Sequence, residues 1–514
     1  MLRQITLTAF LIGVCAILFS SLKTENSPPI SQGKNNTILF ITNEHPGLYN
    51  VHLSTLYSLL QKDSQLKIHY ASFPKVEQRV KHISDLAANG KSKTKDVNFH
   101  PLPGSGYTDS LQMLIDHSDH AHAPGLGAGD RFGKNLGVYI APWSANAYFT
   151  LFESCDRLIS DIDPAVIVFD AFLTPGINAA RQKNRLHAII TPNVLSDLLP
   201  AGQQPPWTLF WKYPALGSGF PYPVPWKLVP ANMYINFRIM RAIFSLPEIT
   251  SKRKQLEKMG IEKPIDFMGL YRKNVPWITQ TLPGAHTPVA RIPENVTLAG
   301  PINLAGLEKK SSGALELLDW AKKPTVLISL GSGFKYHEWQ ARAMIEAIHY
   351  VLKQTEVQVL WKMSRRGTYD HQFLKTAAKE SKDRLRIEKW LEVEPPTLLQ
   401  EGNILTFVHH GGAGSYHDSL GAGIPQVILP QWIDLYDYAS LVERLNIGIW
   451  GCRETSPNWT AECLQEAFLL SVEDSSARSL MTKNAASFGE LARKSPGRDV
   501  AARVVERLAA SGYE

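Results

Sequence analysis

Apolar positions along this chain gather in short runs, at 38–42, 165–169 and 188–191, with 69–73 a further strand candidate. Runs of this length, without polar alternation, predict strands buried on both faces, as in a parallel sheet. A loop at 43–50 and a helix at 51–60 should follow the first strand. The run 165–169 follows an Asp163-Pro164 turn and ends in Asp170. Strands alternating with helices predict an α/β domain. The rhythm breaks at 201–244, where Trp207, Trp211, Tyr213, Phe220, Tyr222, Trp226, Tyr234 and Phe237 lie among prolines. That stretch predicts little regular structure. It suits a cover over the core, the wall of an apolar acceptor pocket, or a lip resting on a membrane. After a stretch rich in proline and glycine, the rhythm restarts with 325–330, the loop Gly331-Ser332-Gly333, and runs at 357–362, 385–387, 404–408 and 426–429. The tail, 461–513, has a helical pattern.

Two similar halves predict two Rossmann-like domains facing across a cleft, with ligands at the carboxyl ends of the strands. The expected division is a leader at 1–22, a polar tether at 23–36 and an N-terminal domain at 37–284. A linker at 285–305, a C-terminal domain at 306–480 and a helical segment at 481–514 complete it. A length of 514 residues requires more than one core. The net charge of +7 is spread among interleaved acids and bases, which argues against nucleic acid as a partner. In the leader, Arg3 precedes an uncharged run that Lys23 ends. It is nearly long enough to span a bilayer. We expect a single-pass anchor in an endomembrane such as the endoplasmic reticulum, or a secreted protein if the leader is cleaved. Sequons at Asn35, Asn295 and Asn458 add little to this. Cys155, Cys452 and Cys463 form no metal-type pair. A Cys452–Cys463 bridge is open, with free buried thiols the preferred expectation.

The densest chemistry lies at 390–434. A buried run, 404–408, feeds His409, His410, Gly411, Gly412 and Gly414, and Ser415 and Asp418 follow on a helix start. A strand, a glycine turn and a helix N-terminus make a diphosphate cradle, because unpaired N–H groups and the helix dipole face the anion. Trp390 stands before this unit, and Pro430 and Asp434 stand after it. Asp116 to His122 has a metal-like spelling but reads as a solvated insert. Asp161 and Asp163 precede a strand in the other half and do not read as a metal pair.

The stretch resembles the nucleotide-sugar signature of UDP-glycosyltransferases, W-x-P-Q … T-H-C-G-x-N-S-x-x-E … P-x-x-x-D-Q. The resemblance implies the GT-B fold, no metal and no cofactor, the UDP-sugar being a co-substrate. It places the diphosphate on His410, Gly412, Gly414 and Ser415, with Gly331 and Ser332 from the facing loop. It stacks uracil on Trp390, pairs the base edge with the backbone of Leu391, gives the ribose to Asp418, where Glu is usual, and the sugar to Asp434. Gly414 and Leu435 replace the usual Asn and Gln, so sugar contacts depart from the pattern; glucose is the family's expectation. The resemblance also implies a base in G-H-x-x-P, oriented by a distant Asp. Asp170 suits the latter. Leu48 falls where the His belongs, so His52, one turn on, is the first candidate, His45 the second, and neither the third.

These features lead us to expect an inverting glycosyltransferase moving sugar to a hydroxyl of a lipophilic small molecule: a sterol, terpenoid or polyketide. Trp207, Trp211, Tyr222 and Trp226 would line its acceptor pocket. Alternatives are an inactive UDP-sugar binder, suggested by Leu48 and Leu435, and transfer to a lipid-linked sugar or glycan.

Overall fold

The computed structural model describes residues 30–62, 65–88, 97–115, 120–195, 205, 207–265, 274–307 and 310–512. The leader at 1–22 lies outside the described residues. Among those described, no helix is long and apolar enough to cross a membrane.

The first domain carries β1 (Lys34–Ile41), α1 (Pro46–Gln61), β2 (Lys67–Ser72), α2 (Glu77–Ala88), β3 (Val97–Pro101), α3 (Tyr107–Leu114), α4 (Leu126–Ile140), α5 (Ala145–Ile162), β4 (Pro164–Asp170), α6 (Thr174–Gln182), β5 (His187–Thr191), α7 (Thr208–Trp211), α8 (Val229–Ser245), α9 (Pro247–Lys258), β6 (Trp277–Thr279) and β7 (Val296–Leu298). The second carries α10 (Ser312–Trp320), β8 (Thr325–Ile328), α11 (Glu338–Gln354), β9 (Gln358–Lys362), α12 (Gln372–Glu380), β10 (Leu385–Glu388), α13 (Pro395–Glu401), β11 (Ile404–His409), α14 (Ala413–Ala422), β12 (Gln426–Ile428), α15 (Leu435–Arg444), β13 (Gly448–Trp450), α16 (Ala461–Val472) and α17 (Ser476–Lys494). A last helix, α18 (Gly497–Ala509), returns to the first domain.

The first sheet runs β3-β2-β1-β4-β5-β6-β7 and the second β10-β9-β8-β11-β12-β13, with neighbours parallel throughout. Strand order reverses between β1 and β4, and again between β8 and β11. Crevices open at such reversals, beyond the carboxyl ends of the strands. The loops after β1 and β4 therefore form one wall, and those after β8 and β11 the other.

Several expected boundaries shift. The end of the tether belongs to β1, and Ser31 N donates to Asn184 O at 2.9 Å. The linker contains β7, which completes the first sheet, because Trp277 N donates to Asn295 O at 2.8 Å and fixes that edge. The aromatic stretch is more regular than its prolines suggest. Buried Asn232 of α8 ties it down, its Nδ2 donating to Phe210 O (3.0 Å) and Tyr213 O (2.9 Å), its Oδ1 accepting from Ala215 N (2.7 Å). Cys452 and Cys463 form a disulfide, correcting the expectation of free thiols there, while Cys155 is a buried thiol. The bridge ties the end of β13 to the start of α16.

Candidate functional site

The second domain's wall of the cleft is built at the end of β11. His409 is fully buried, accepts from Gly411 N at Nδ1 (3.0 Å) and meets Gln426 Oε1 at Nε2 (2.9 Å). Burial holds its pKa at about 4, so it is a neutral brace for the turn. Gly411 has φ +95°, and a Cβ there would lie 2.8 Å from Ile428. The His410 imidazole fills the space beside two more glycines. A Cβ on Gly331 would lie 2.7 Å from its Cε1, and one on Gly412 2.6 Å from its Nε2. Gly412 is the N-cap of α14 and no side chain caps that helix. Its first-turn N–H groups, with half-buried Ser415 among them, remain available to an anion. Ser332 is exposed on the facing loop.

Beside the cradle, Trp390 is 60% exposed, while Leu391 is buried with its backbone beside it. Lys362, at the end of β9, places Nζ 4.0 Å from the Trp390 ring centre and donates to Gly331 O at 3.2 Å. Asp418, one turn into α14, accepts from Asn303 Nδ2 at 2.8 Å. Burial raises its pKa to about 7, and the Glu394 charge adds to the rise. Glu394, the N-cap of α13, reaches across to Arg79 of α2 at 3.5 Å. Asp434 sits at the N-cap of α15, raised to about 6 by burial. Leu435 is 3% exposed and lies against Gly411, where its apolar side chain offers no polar contact to a sugar. Gly414 faces open space.

On the first domain's wall, Asp170 is 1% exposed at the end of β4. Its Oδ2 accepts from Asn43 N (3.2 Å) and its Oδ1 from Phe172 N (2.7 Å), so it clamps the loops after β1 and β4 together. Burial raises its pKa to about 6 against these two hydrogen bonds. The expected dyad is corrected: His52 points into the helix–sheet core. It has no solvent exposure, packs edge-on to Phe40, and donates from Nδ1 to Leu48 O at 3.1 Å. Burial pulls its pKa down to about 4. His45 instead caps α1, with Nδ1 accepting from Gly47 N at 3.1 Å. A neutral imidazole accepting at Nδ1 carries its proton on Nε2, the wrong tautomer for a base at Nε2.

The expected acceptor lining is corrected as well. Trp207, Trp211 and Trp226 are 54%, 48% and 86% exposed and do not wall an enclosed pocket. Tyr222 packs on Tyr213 and lies under Arg444 of the second domain, at 5.5 and 5.6 Å. The rings nearer Asp170 are Tyr107, Phe172 and Trp143, with Tyr107 5.4 Å from Phe172 and 6.0 Å from Trp143. Burial raises the Tyr107 pKa, and so do the charges of Asp170 and Asp434, which come from opposite walls.

The segment read as a solvated insert is corrected where it is described. His120 and His122 are each 7% exposed. His122 N donates to Gln431 O (3.1 Å), and its Nε2 accepts from Ile433 N (2.8 Å). It thereby latches the first domain to the loop before Asp434. Asp437 adds a second latch, accepting from Gly217 N (2.8 Å) and Gly219 N (3.2 Å). Asp116 lies outside the described residues. Asn303, Lys362, Glu394 and Trp432 carry no motif spacing and escaped the sequence. The aromatic–acid spelling 430–434 was the one signal that could have found Trp432.

Two parallel Rossmann-like domains, with a capless helix behind glycines at the cleft, define a GT-B-type α/β protein. Residues 379–507 match the family model described as "Erythromycin biosynthesis protein CIII-like, C-terminal domain". The chain is 33% identical over 510 residues to glycosyltransferase sdnJ of Sordaria araneosa, covering 92% of this chain and 98% of that one. The fold is similar to that of the kitacinnamycin glycotransferase (TM-score 0.60, 16% identity, 94% of this chain and 100% of that one). It is also similar to a Polygonum tinctorium UDP-glucosyltransferase capable of glucosylating indoxyl (TM-score 0.61, 15% identity, 94% and 100%). The chain belongs to the UDP-glycosyltransferase family and is a glycosyltransferase.

Proposed function

We propose that the chain moves glucose from UDP-glucose to a hydroxyl of a lipophilic small molecule, with inversion at the anomeric carbon. The observation that carries this is the capless N-terminus of α14 behind Gly411 and Gly412, with Asp418 held one turn on by Asn303. Dipole and N–H groups there stabilise the charge that grows on the leaving diphosphate. His410 and Ser415 stand at the same anion, and Asp434 stands at the sugar. Trp390 offers its exposed face to uracil. Asp170 holds the loops after β1 and β4 together, which fixes the wall on which the acceptor hydroxyl would be positioned. Inversion follows from a single displacement, in which the acceptor oxygen bonds to the anomeric carbon as the phosphate oxygen leaves. Apolar acceptors suit the half-buried rings Tyr107 and Phe172, and a sterol, terpenoid or polyketide presents a hydroxyl on such a surface. The relatives' activities are consistent with this substrate class.

The test incubates the full-length chain with mixed UDP-sugars and a panel of hydrophobic alcohols, then measures UDP release and product mass. A product heavier by one hexose supports the proposal. UDP binding with no product for any acceptor refutes it.

A further inference from the structure

Transfer to an alcohol needs a base, and neither histidine beside α1 is placed to serve. We propose that His120 is the general base, with Tyr139 holding its ring; the assignment rests on the transferase reading above. His120 belongs to the first domain, is 7% exposed, and its ring lies 6.4 Å from that of Trp432 of the second. Trp432 also neighbours His410 of the diphosphate cradle, at 6.3 Å. One indole thus spans the gap between His120 and the leaving group's site. Behind His120, its Nδ1 is hydrogen-bonded to the Tyr139 hydroxyl at 3.1 Å. When the tyrosine oxygen accepts from Nδ1–H, Nε2 is the basic nitrogen. Tyr139 is anchored in turn, because its carbonyl accepts from the Tyr107 hydroxyl at 2.5 Å. Tyr107 packs against Phe172, two residues past Asp170, so the three aromatic groups tie His120 to the acceptor wall.

In the step, the acceptor O–H gives its proton to His120 Nε2 as its oxygen bonds to the anomeric carbon. The bond from that carbon to the phosphate oxygen breaks, and its electron pair leaves with UDP. The imidazolium then returns the proton to solvent as products depart. Tyr139 is a positioning residue.

The experiment compares H120A, H120Q and Y139F with wild type on two acceptors, a hydrophobic alkanol and 4-nitrophenol, whose hydroxyl ionises near neutrality. Removing a general base should cut kcat for the alkanol by about 10²–10⁴-fold. The phenol, already able to ionise, should lose less than about tenfold on the same scale. Y139F should fall between, and UDP affinity should stay at the wild-type value in all three. Y139F removes only a hydroxyl, so it keeps the test open if H120A folds poorly. Alkanol turnover retained in H120Q overturns the assignment. So does equal loss on both acceptors with UDP binding intact, which would mark a structural role. A wild-type chain that turns over neither these two acceptors nor any alcohol of the hydrophobic panel refutes the proposed function, and the base assignment with it.

Discussion

Gly412→Ala isolates the geometry of the diphosphate cradle. Its φ is −63°, so alanine fits the backbone, and the whole effect comes from the new methyl group. That methyl would lie 2.6 Å from His410 Nε2. Ordinary contact needs about 3.5 Å, so the imidazole must retreat by roughly 0.9 Å. It cannot retreat toward the Gly331 loop, which is already so close that a Cβ on Gly331 would lie 2.7 Å from the ring. Misplacement of about 1 Å at a reacting centre costs on the order of 10²-fold in rate. Stability should move far less: alanine for glycine at an N-cap costs about 1 kcal/mol, or roughly 2–4 °C in a domain of this size. Gly414→Ala is the internal control, because nothing lies within 4 Å of its Cβ. That substitution adds helix propensity of about 1 kcal/mol and should leave His410 in place. The assay is UDP release under saturating acceptor, with melting curves alongside. Equal kcat/KM for the two variants would refute the idea that the space beside His410 is what the glycines preserve.

Three further outcomes follow from the site. His52→Leu should keep kcat within about threefold and hold or raise the melting temperature, since it removes a buried polar ring worth about 1 kcal/mol of desolvation; a hundredfold loss in turnover would restore His52 to the mechanism. Asp170 has a folded pKa of about 6, above its ordinary value of 3.8. Its contribution is therefore full below about pH 4 and lost as pH rises through about 6. Asp170→Asn should flatten that part of the melting profile while costing about 1–3 kcal/mol at low pH, where one amide loses its acceptor; a profile parallel to wild type would count against it. Trp390→Ala should raise the donor KM by roughly 2- to 12-fold, equivalent to about 0.5–1.5 kcal/mol of stacking; donor titration at fixed acceptor measures it, and an unchanged KM would remove uracil from that ring.

The strands and the cradle were legible because parallel strands are apolar on both faces. Expected runs at 404–408 and 426–429 became Ile404–His409 and Gln426–Ile428. The failure at His52 has a specific cause. Helix α1 is covered by the sheet on one side and by α18 on the other, so even its polar residues His52, Ser54, Thr55 and Ser58 are buried. Ser54 and Thr55 satisfy themselves on Asn50 O (2.8 Å) and Val51 O (2.7 Å), and Ser58 on Asp499 (2.7 Å). The cover comes from the far end of the chain, so no local pattern announced it. His120 and His122 were missed for the opposite reason: histidines among glycines look solvated until another domain closes over them. Leu435 shows the converse, since the motif departure was visible but its burial was not.

Ribosomal synthesis exposes one more property of α18. Its residues Ala501, Ala502, Val505 and Ala509 belong to the same core as Leu56 and Leu59 of α1 and Val166 and Val168 of β4. From Lys34, the start of β1, to Gly497 is 463 positions. At ~5–20 residues per second, that delay is roughly half a minute to a minute and a half. Throughout it, the first domain to emerge has an unfinished apolar face, while the second domain is made and folded. The helix that completes the first domain is thus made only after the whole second domain. A nascent chain stalled before α18 would display that face to chaperones, and the two halves reach completion in the reverse of their order in the gene.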